Sequence, residues 1–153
     1  MARYDFWTHG VNTIPQFPAL CTTREHTGVG TRIGQNANTT NWFHIPIPTP
    51  TALEGDTSVN LGYVRLRASV NENAEIEEVQ LLVDGQSMFT AGNLSLSNTD
   101  VDERFNNPNF QVRGGLVMSV RVRFLTGTPG GRITIKGAGA RFEQAVFVPE
   151  TMP

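Results

Sequence analysis

From Asn60 to Val70 the chain alternates. Val64, Leu66, Ala68 and Val70 fall on one side, and Tyr63, Arg65, Arg67 and Ser69 on the other. Successive side chains of a β-strand point to opposite faces, so such a run buries one face and wets the other. The pattern returns from Leu116 to Leu125, where Leu116, Met118, Val120, Val122 and Phe124 oppose Val117, Ser119, Arg121, Arg123 and Leu125. Helical spacing of apolar residues is nearly absent, and clusters of Gly, Pro and Asn break the alternation at short intervals. The combination predicts an all-β chain: an antiparallel β-sandwich of jelly-roll type with about 8–10 strands.

Local signals fill in this outline. In Glu75 to Val83, Val79, Leu81 and Val83 share a face while Ile76 is out of phase, so a bulge is expected near Glu77 or Glu78. Asp84-Gly85 follows, and Gln86 to Ala91 returns; both central residues of a type I′ turn need positive φ, which Asp-Gly supplies. Thr126 to Gly131 is expected to close a second hairpin, between Leu116–Leu125 and Arg132–Phe142. Gly137 and Gly139 in the latter segment mark a bulge or a close backbone contact. Tyr4 to Thr8 is a candidate strand with Tyr4 and Phe6 opposite Trp7; Leu20 to Arg24 and Thr31 to Ile33 are shorter candidates. Asn41 to Ile47 meets Pro46, Pro48 and Pro50, so it is expected to be an edge strand or to leave the sheet soon after. Asn98 to Asn109 is expected to be a polar loop, with one helical turn at Asp100 to Phe105.

The 153 residues are expected to form a single domain over 1–153, with arms at 1–10 and 145–153. A globule of this size buries about 69% of its extended surface, enough for a core without disulfides or metal. With 39% hydrophobic residues, disorder of the whole chain is excluded. No run approaches the ~20 apolar residues of a membrane span. A net charge of -2 argues against nucleic acid as a partner. Cys21 is the single cysteine, which excludes an internal disulfide and a cysteine zinc site. MARYDFWTHG lacks a basic start and apolar run, so the expected location is cytoplasmic; export by a route without a cleaved signal is the alternative.

The most distinctive segment is Asn41-Trp42-Phe43-His44-Ile45-Pro46-Ile47-Pro48-Thr49-Pro50. Together with Trp7-Thr8-His9-Gly10 and the late Gly137-Ala138-Gly139-Ala140 it resembles an uncharacterised family of small bacterial all-β proteins. The resemblance covers about half the chain at motif level. It implies an all-β domain and carries no activity, cofactor or site.

The residues themselves leave three readings. Low charge and an apolar C-terminal tail point to a non-enzymatic structural protein that associates with itself as a homo-oligomer or array. Its candidate contacts are Tyr4, Phe6, Arg65, Arg67, Arg121, Arg123, Phe147 and Val148, with the arms adding strands to a neighbour's sheet. The plainer reading is a cross-strand ladder of opposite charges on one exposed sheet, between Arg65, Arg67, Arg121, Arg123 and Arg132 and the acidic run Glu72, Glu75, Glu77 and Glu78. The alternative is a module that binds carbohydrate or another ligand, with Trp7, Trp42, Tyr63 and Asn106 as candidates because sugar sites combine aromatic faces with polar side chains. The third is a β-sandwich enzyme, either a metalloenzyme using His9, His26 and His44, which are too far apart in sequence for a local metal motif, or a hydrolase using a carboxylate pair that no spacing singles out. Asp100, Asp102 and Glu103 offer hard oxygens suited to calcium but do not match the EF-hand spacing. No nucleophile elbow or phosphate loop is present, and no catalytic residue, resident metal or cofactor is expected.

Overall fold

The structure, a computed structural model, describes residues 3–49, 59–106, 112 and 115–144. Among them the strands are β1 (Arg3–His9), β2 (Ile14–Pro15), β3 (Cys21–His26), β4 (Thr31–Gln35), β5 (Thr39–Ile47) and β6 (Val59–Val70). β7 (Ala74–Val83), β8 (Gln86–Ala91), β9 (Thr99–Asn106), β10 (Leu116–Phe124) and β11 (Arg132–Gln144) follow. Two short 3-10 turns, Gly10–Asn12 and Pro18–Leu20, complete the elements.

Two antiparallel sheets face each other. The first has the order β3-β4-β11-β6-β9, and β1 pairs with the stretch of β11 that β4 leaves open. The second has the order β2-β5-β10-β7-β8. The pairs β7·β8, β6·β9, β5·β10 and β4·β11 are nested about one turn. The chain from β4 to β11 is therefore one long two-stranded ribbon, rolled so that its successive segments lie in alternate sheets. That arrangement is a jelly roll. The ribbon closes at Asp84 and Gly85, whose φ values of 50° and 78° are those the Asp-Gly pair was expected to adopt.

The alternating residues meet between the sheets. Val64, Leu66 and Ala68 from β6 and Met118, Val120 and Val122 from β10 are fully buried, with Phe43, Phe124 and Phe142 the largest buried side chains. Phe43 packs edge-on against Phe124 at 6.4 Å between centroids. Burying each such side chain contributes ~1.5–3 kcal/mol. Trp42 and Phe43 thus part company, with Phe43 in the core and Trp42 half-buried on the outer face. The bulge expected in β7 is present: opposite β10, Arg121 pairs with Glu78 and Val122 with Ile76, so Glu77 is the extra residue.

Two sequence expectations are corrected. Thr126 to Gly131 does not close a hairpin, because β10 and β11 lie in different sheets. The segment crosses between sheets beside the β6–β7 connection and is tied to it. Asn71 Nδ2 donates to the Gly130 carbonyl at 2.8 Å, Asn73 Nδ2 donates to the Pro129 carbonyl at 2.5 Å, and the Leu125 amide donates to the Asn73 carbonyl at 2.7 Å. Each flanking strand already has neighbours on both edges, and a core between two layers needs both strands on opposite sides of it.

Where a polar loop with a helical turn was expected, residues 107–109 lie outside the described residues and Thr99–Asn106 is β9, paired with β6 along its whole length. Its charges lowered its apparent β propensity, but β9 is an edge strand with one wet face, where charged residues belong. Val101 and Phe105 face the core, while Asp100, Asp102 and Arg104 face out.

Residues 3–9 of the expected N-terminal arm form β1 within the chain's own sheet. The C-terminal arm, with Phe147 and Val148, lies outside the described residues. Among the described residues no helix is long and apolar enough to cross a membrane.

Candidate functional site

Register arranges the outer face of the first sheet in rows, because residues directly opposite across antiparallel strands point to the same side. Trp7 on β1 stands opposite Gly139 on β11, Gly139 opposite Arg65 on β6, and Arg65 opposite Arg104 on β9. The neighbouring rows are Asp5, Arg141, Tyr63 and Asn106 on one side and His9, Gly137, Arg67 and Asp102 on the other.

Trp7 is 47% exposed, an unusual allowance for so large an apolar ring. Its ring lies over two glycines. A Cβ on Gly139 would stand 2.9 Å from Trp7 Cδ2 and 2.9 Å from the Phe6 carbonyl, and one on Gly137 would touch the ring edge at 3.7 Å. Glycine weakens a strand interior and is retained where something lies closely on it. Here that something is the indole, which the missing side chain lets lie against the sheet.

The surrounding polar groups are fixed by one another. The Arg65 guanidinium sits 5.6 Å from the Trp7 ring centroid and forks onto Asp102, with Nε to Oδ1 at 2.5 Å and Nη2 to Oδ2 at 2.6 Å. These hydrogen bonds hold the Asp102 carboxyl below its usual pKa range. Arg141 forks onto Asp5 in the same way, at 2.8 and 3.0 Å, and lowers its pKa. Arg104 and Arg141 lie 4.1 and 4.9 Å from the Tyr63 ring centroid and cover it. Beside Trp7, a cleft of about 230 Å³ is lined by Trp7, Thr8, His9, Arg67, Lys136 and Gly137.

The candidate binding residues therefore divide. Trp7, Tyr63 and Asn106 share this face, with Trp7 open and Tyr63 covered. Trp42 lies on the outer face of the other sheet, opposite Arg121, whose guanidinium is 5.7 Å from its ring centroid.

The calcium candidates also divide. Asp100 and Asp102 face out, whereas Glu103 stands opposite core-facing Leu66 on the other side of β9, so the three do not converge on one ion. Asp100 accepts from the Ser69 hydroxyl at 2.7 Å, which lowers its pKa, with Lys136 adding to the effect. Among the described residues no three metal-capable side chains gather.

The histidines have separate duties. Val11 N–H donates to His9 Nδ1, so His9 Nε2–H donates to the Gly28 carbonyl at 2.9 Å. His26 Nδ1 bonds Thr31 Oγ1 at 3.0 Å. His44 lies on the second sheet between Ser119 and Gln16, where burial pushes its pKa down.

Of the candidate assembly contacts, Phe6 packs on Phe142 at 5.7 Å, while Tyr4 is 38% exposed. The arginines engage carboxylates of their own chain. Arg121 reaches Glu77 and Glu78, Arg123 reaches Glu75 and Glu77, and Arg65 reaches Asp102. Arg67 makes no ion pair among the described residues. Sequence reasoning did not place Gly137, Gly139 and Lys136 at a site. The signal was the alternation Gly137-Ala138-Gly139-Ala140, which puts glycine at the two outward positions of a long strand.

The sequence matches the model of a family of unknown function, DUF6623, over residues 1–145. The chain belongs to that family. The match agrees with the resemblance carried by the Trp-His-Gly, Trp-Phe-His and Gly-Ala-Gly-Ala motifs, and DUF6623 membership assigns no activity. No curated protein matches the chain.

Among solved structures, a family two carbohydrate esterase from Cellvibrio japonicus is similar at 10% identity and a TM-score of 0.46, covering 97% of this chain; the chain spans 38% of the esterase. The carbohydrate-binding module CBM36 in complex with calcium and xylotriose is similar at 10% identity and a TM-score of 0.43, covering 91% of this chain and 98% of the module. The infectious bursal disease virus Gx strain structure is similar at 14% identity and a TM-score of 0.45, covering 99% of this chain and 33% of that one. Likenesses this weak carry no argument about what the DUF6623 chain does.

Proposed function

We propose that this chain is a non-enzymatic binding module that stacks a sugar ring on Trp7. One observation carries the reading: the Trp7 ring is half-exposed and lies on Gly137 and Gly139. The C–H face of a pyranose is apolar and complements an aromatic face, while its hydroxyls need donors and acceptors around the rim. Arg65 and Asp102, already locked by their fork, supply such a rim. A rigid platform of this kind loses little entropy on binding. The test is tryptophan fluorescence and calorimetry against a glycan panel. Quenching or a spectral shift on titration is expected, and Trp7→Ala should weaken binding about tenfold. A folded protein that binds no member of the panel overturns the reading.

A second reading, self-association, draws on a different region. Val11, Ile14 and Phe17 are 41%, 59% and 48% exposed beside the β2 edge, and Val11 and Ile14 border a cleft of about 400 Å³ with Pro15, Pro46, Arg24 and His26. Exposed apolar side chains gathered at a sheet edge suit contact with a second copy. Light scattering tests it. An oligomer that Ile14→Asp dissolves supports the reading, and a monomer at high concentration removes it.

A further inference from the structure

We infer that the sugar bound at Trp7 is an acidic one, its anionic group seated in the cleft beside the indole between Arg67 and Lys136. The inference rests on the sugar-stacking reading of the same face and names its substrate class.

The cleft joins three features. Trp7 supplies an open aromatic wall, and Gly137 leaves the floor clear. Arg67, on β6, is exposed, and the described residues hold no carboxylate within ion-pair distance of it. The carboxylate directly across from it, Asp102, feels the Arg67 charge but makes its hydrogen bonds in a fork with Arg65. Lys136 occupies the bulge of β11 between Ile135 and Gly137, which sets the lysine at the cleft. Its only described ion pair is a long one, 3.8 Å to Asp100, and Asp100 is also satisfied by the Ser69 hydroxyl.

In this part of the face Arg65, Arg67, Arg104 and Lys136 outnumber Asp100 and Asp102. The chain as a whole is acidic, so this positive surplus is local. Long-range attraction of a polyanion such as nucleic acid is therefore weak, whereas one anionic substituent on a stacked ring gains two charge-assisted hydrogen bonds. The shared chemistry is a carboxylate or a sulfate on a pyranose. Arg67 offers a planar fork to either, and Lys136 a point charge.

The experiment measures the intact chain against paired oligosaccharides. Oligogalacturonate and glucuronoxylan fragments are each set against their carboxyl-reduced forms, and sulfated heparin fragments against desulfated ones, by calorimetry at low and high salt. The expected result is about tenfold tighter binding of an anionic member than of its neutralised partner, with the preference shrinking at high salt. Whichever pair shows the preference identifies the anion. The double variant R67Q/K136Q should erase most of that ratio, while Arg123→Gln on the other sheet should leave it intact.

Equal affinity for charged and neutralised partners overturns this inference and leaves the Trp7 platform standing. A preference that survives in R67Q/K136Q also overturns it, because the anion then sits elsewhere. No binding to any sugar, or tighter binding of a single-stranded oligonucleotide than of every sugar, overturns both this inference and the platform.

Discussion

The outer faces of the two sheets are built from the same parts and end up in different states. Each carries a tryptophan, an arginine beside it and carboxylates beyond. On the first sheet Gly139 separates Trp7 from Arg65 in the row, and the indole lies in the space that glycine leaves. On the second sheet Trp42 is directly opposite Arg121, and the β7 bulge brings both Glu77 and Glu78 to that guanidinium, at 3.1 and 2.9 Å. One face leaves its aromatic ring open with cations to spare. The other closes into a ladder of ion pairs. Function on such a surface depends on which residue lies between the aromatic and the charge, more than on how many of each are present.

The largest expected effect comes from filling the space under Trp7. Gly139→Val pushes on the Phe6 carbonyl and the indole, so β1 must part from β11 or the ring must lift. Denaturant melts should show a loss of about 1–3 kcal/mol, and sugar titration should show no binding. If binding survived, the platform would not be the site.

The next effect separates the two tryptophans. Trp7→Ala should weaken sugar binding about tenfold, and Trp42→Ala should leave affinity within about twofold while lowering stability more. Equal losses of affinity would erase the contrast between the faces.

A smaller effect sharpens the ladder side. Arg121→Ala removes the ion-pair partner of the largely shielded Glu78 and leaves Glu77 to Arg123 alone, and should destabilise by ~1 kcal/mol with no change in sugar affinity. High salt should shrink that loss.

The smallest effect concerns pH. Burial holds the His44 pKa below its ordinary 6.5, so between the folded and unfolded values the unfolded chain binds more protons. The stability from keeping His44 neutral is full above pH 6.5 and is lost as pH falls through the lowered folded value. Melts from pH 8 to pH 5 should show this loss, and His44→Gln should flatten it.

Much of the fold was legible because alternation is a local signal. Val64 and Leu66 against Arg65 and Arg67 say which side chain goes in and which goes out wherever the strand lies. Asp84-Gly85 and the out-of-phase Ile76 are equally local, and the structure has the turn and the bulge they imply. The candidate site was half legible. Trp7, Tyr63 and Asn106 could be named as aromatic and polar side chains, but their grouping apart from Trp42 depends on which strands pair. β9 was obscured because an edge strand satisfies its charges through a partner, as Asp102 does with Arg65, and that partner is distant in sequence.

The sequence by itself determined the all-β class, the faces of the main strands and the turn at which the ribbon closes. Each follows from backbone geometry over a few residues. Tertiary structure decided that Thr126 to Gly131 crosses between sheets, that residues 3–9 join their own sheet, and that Trp7 rests on glycine while Trp42 meets arginine. These are questions of pairing between distant segments, and their answer is set by how both sheets together enclose one core.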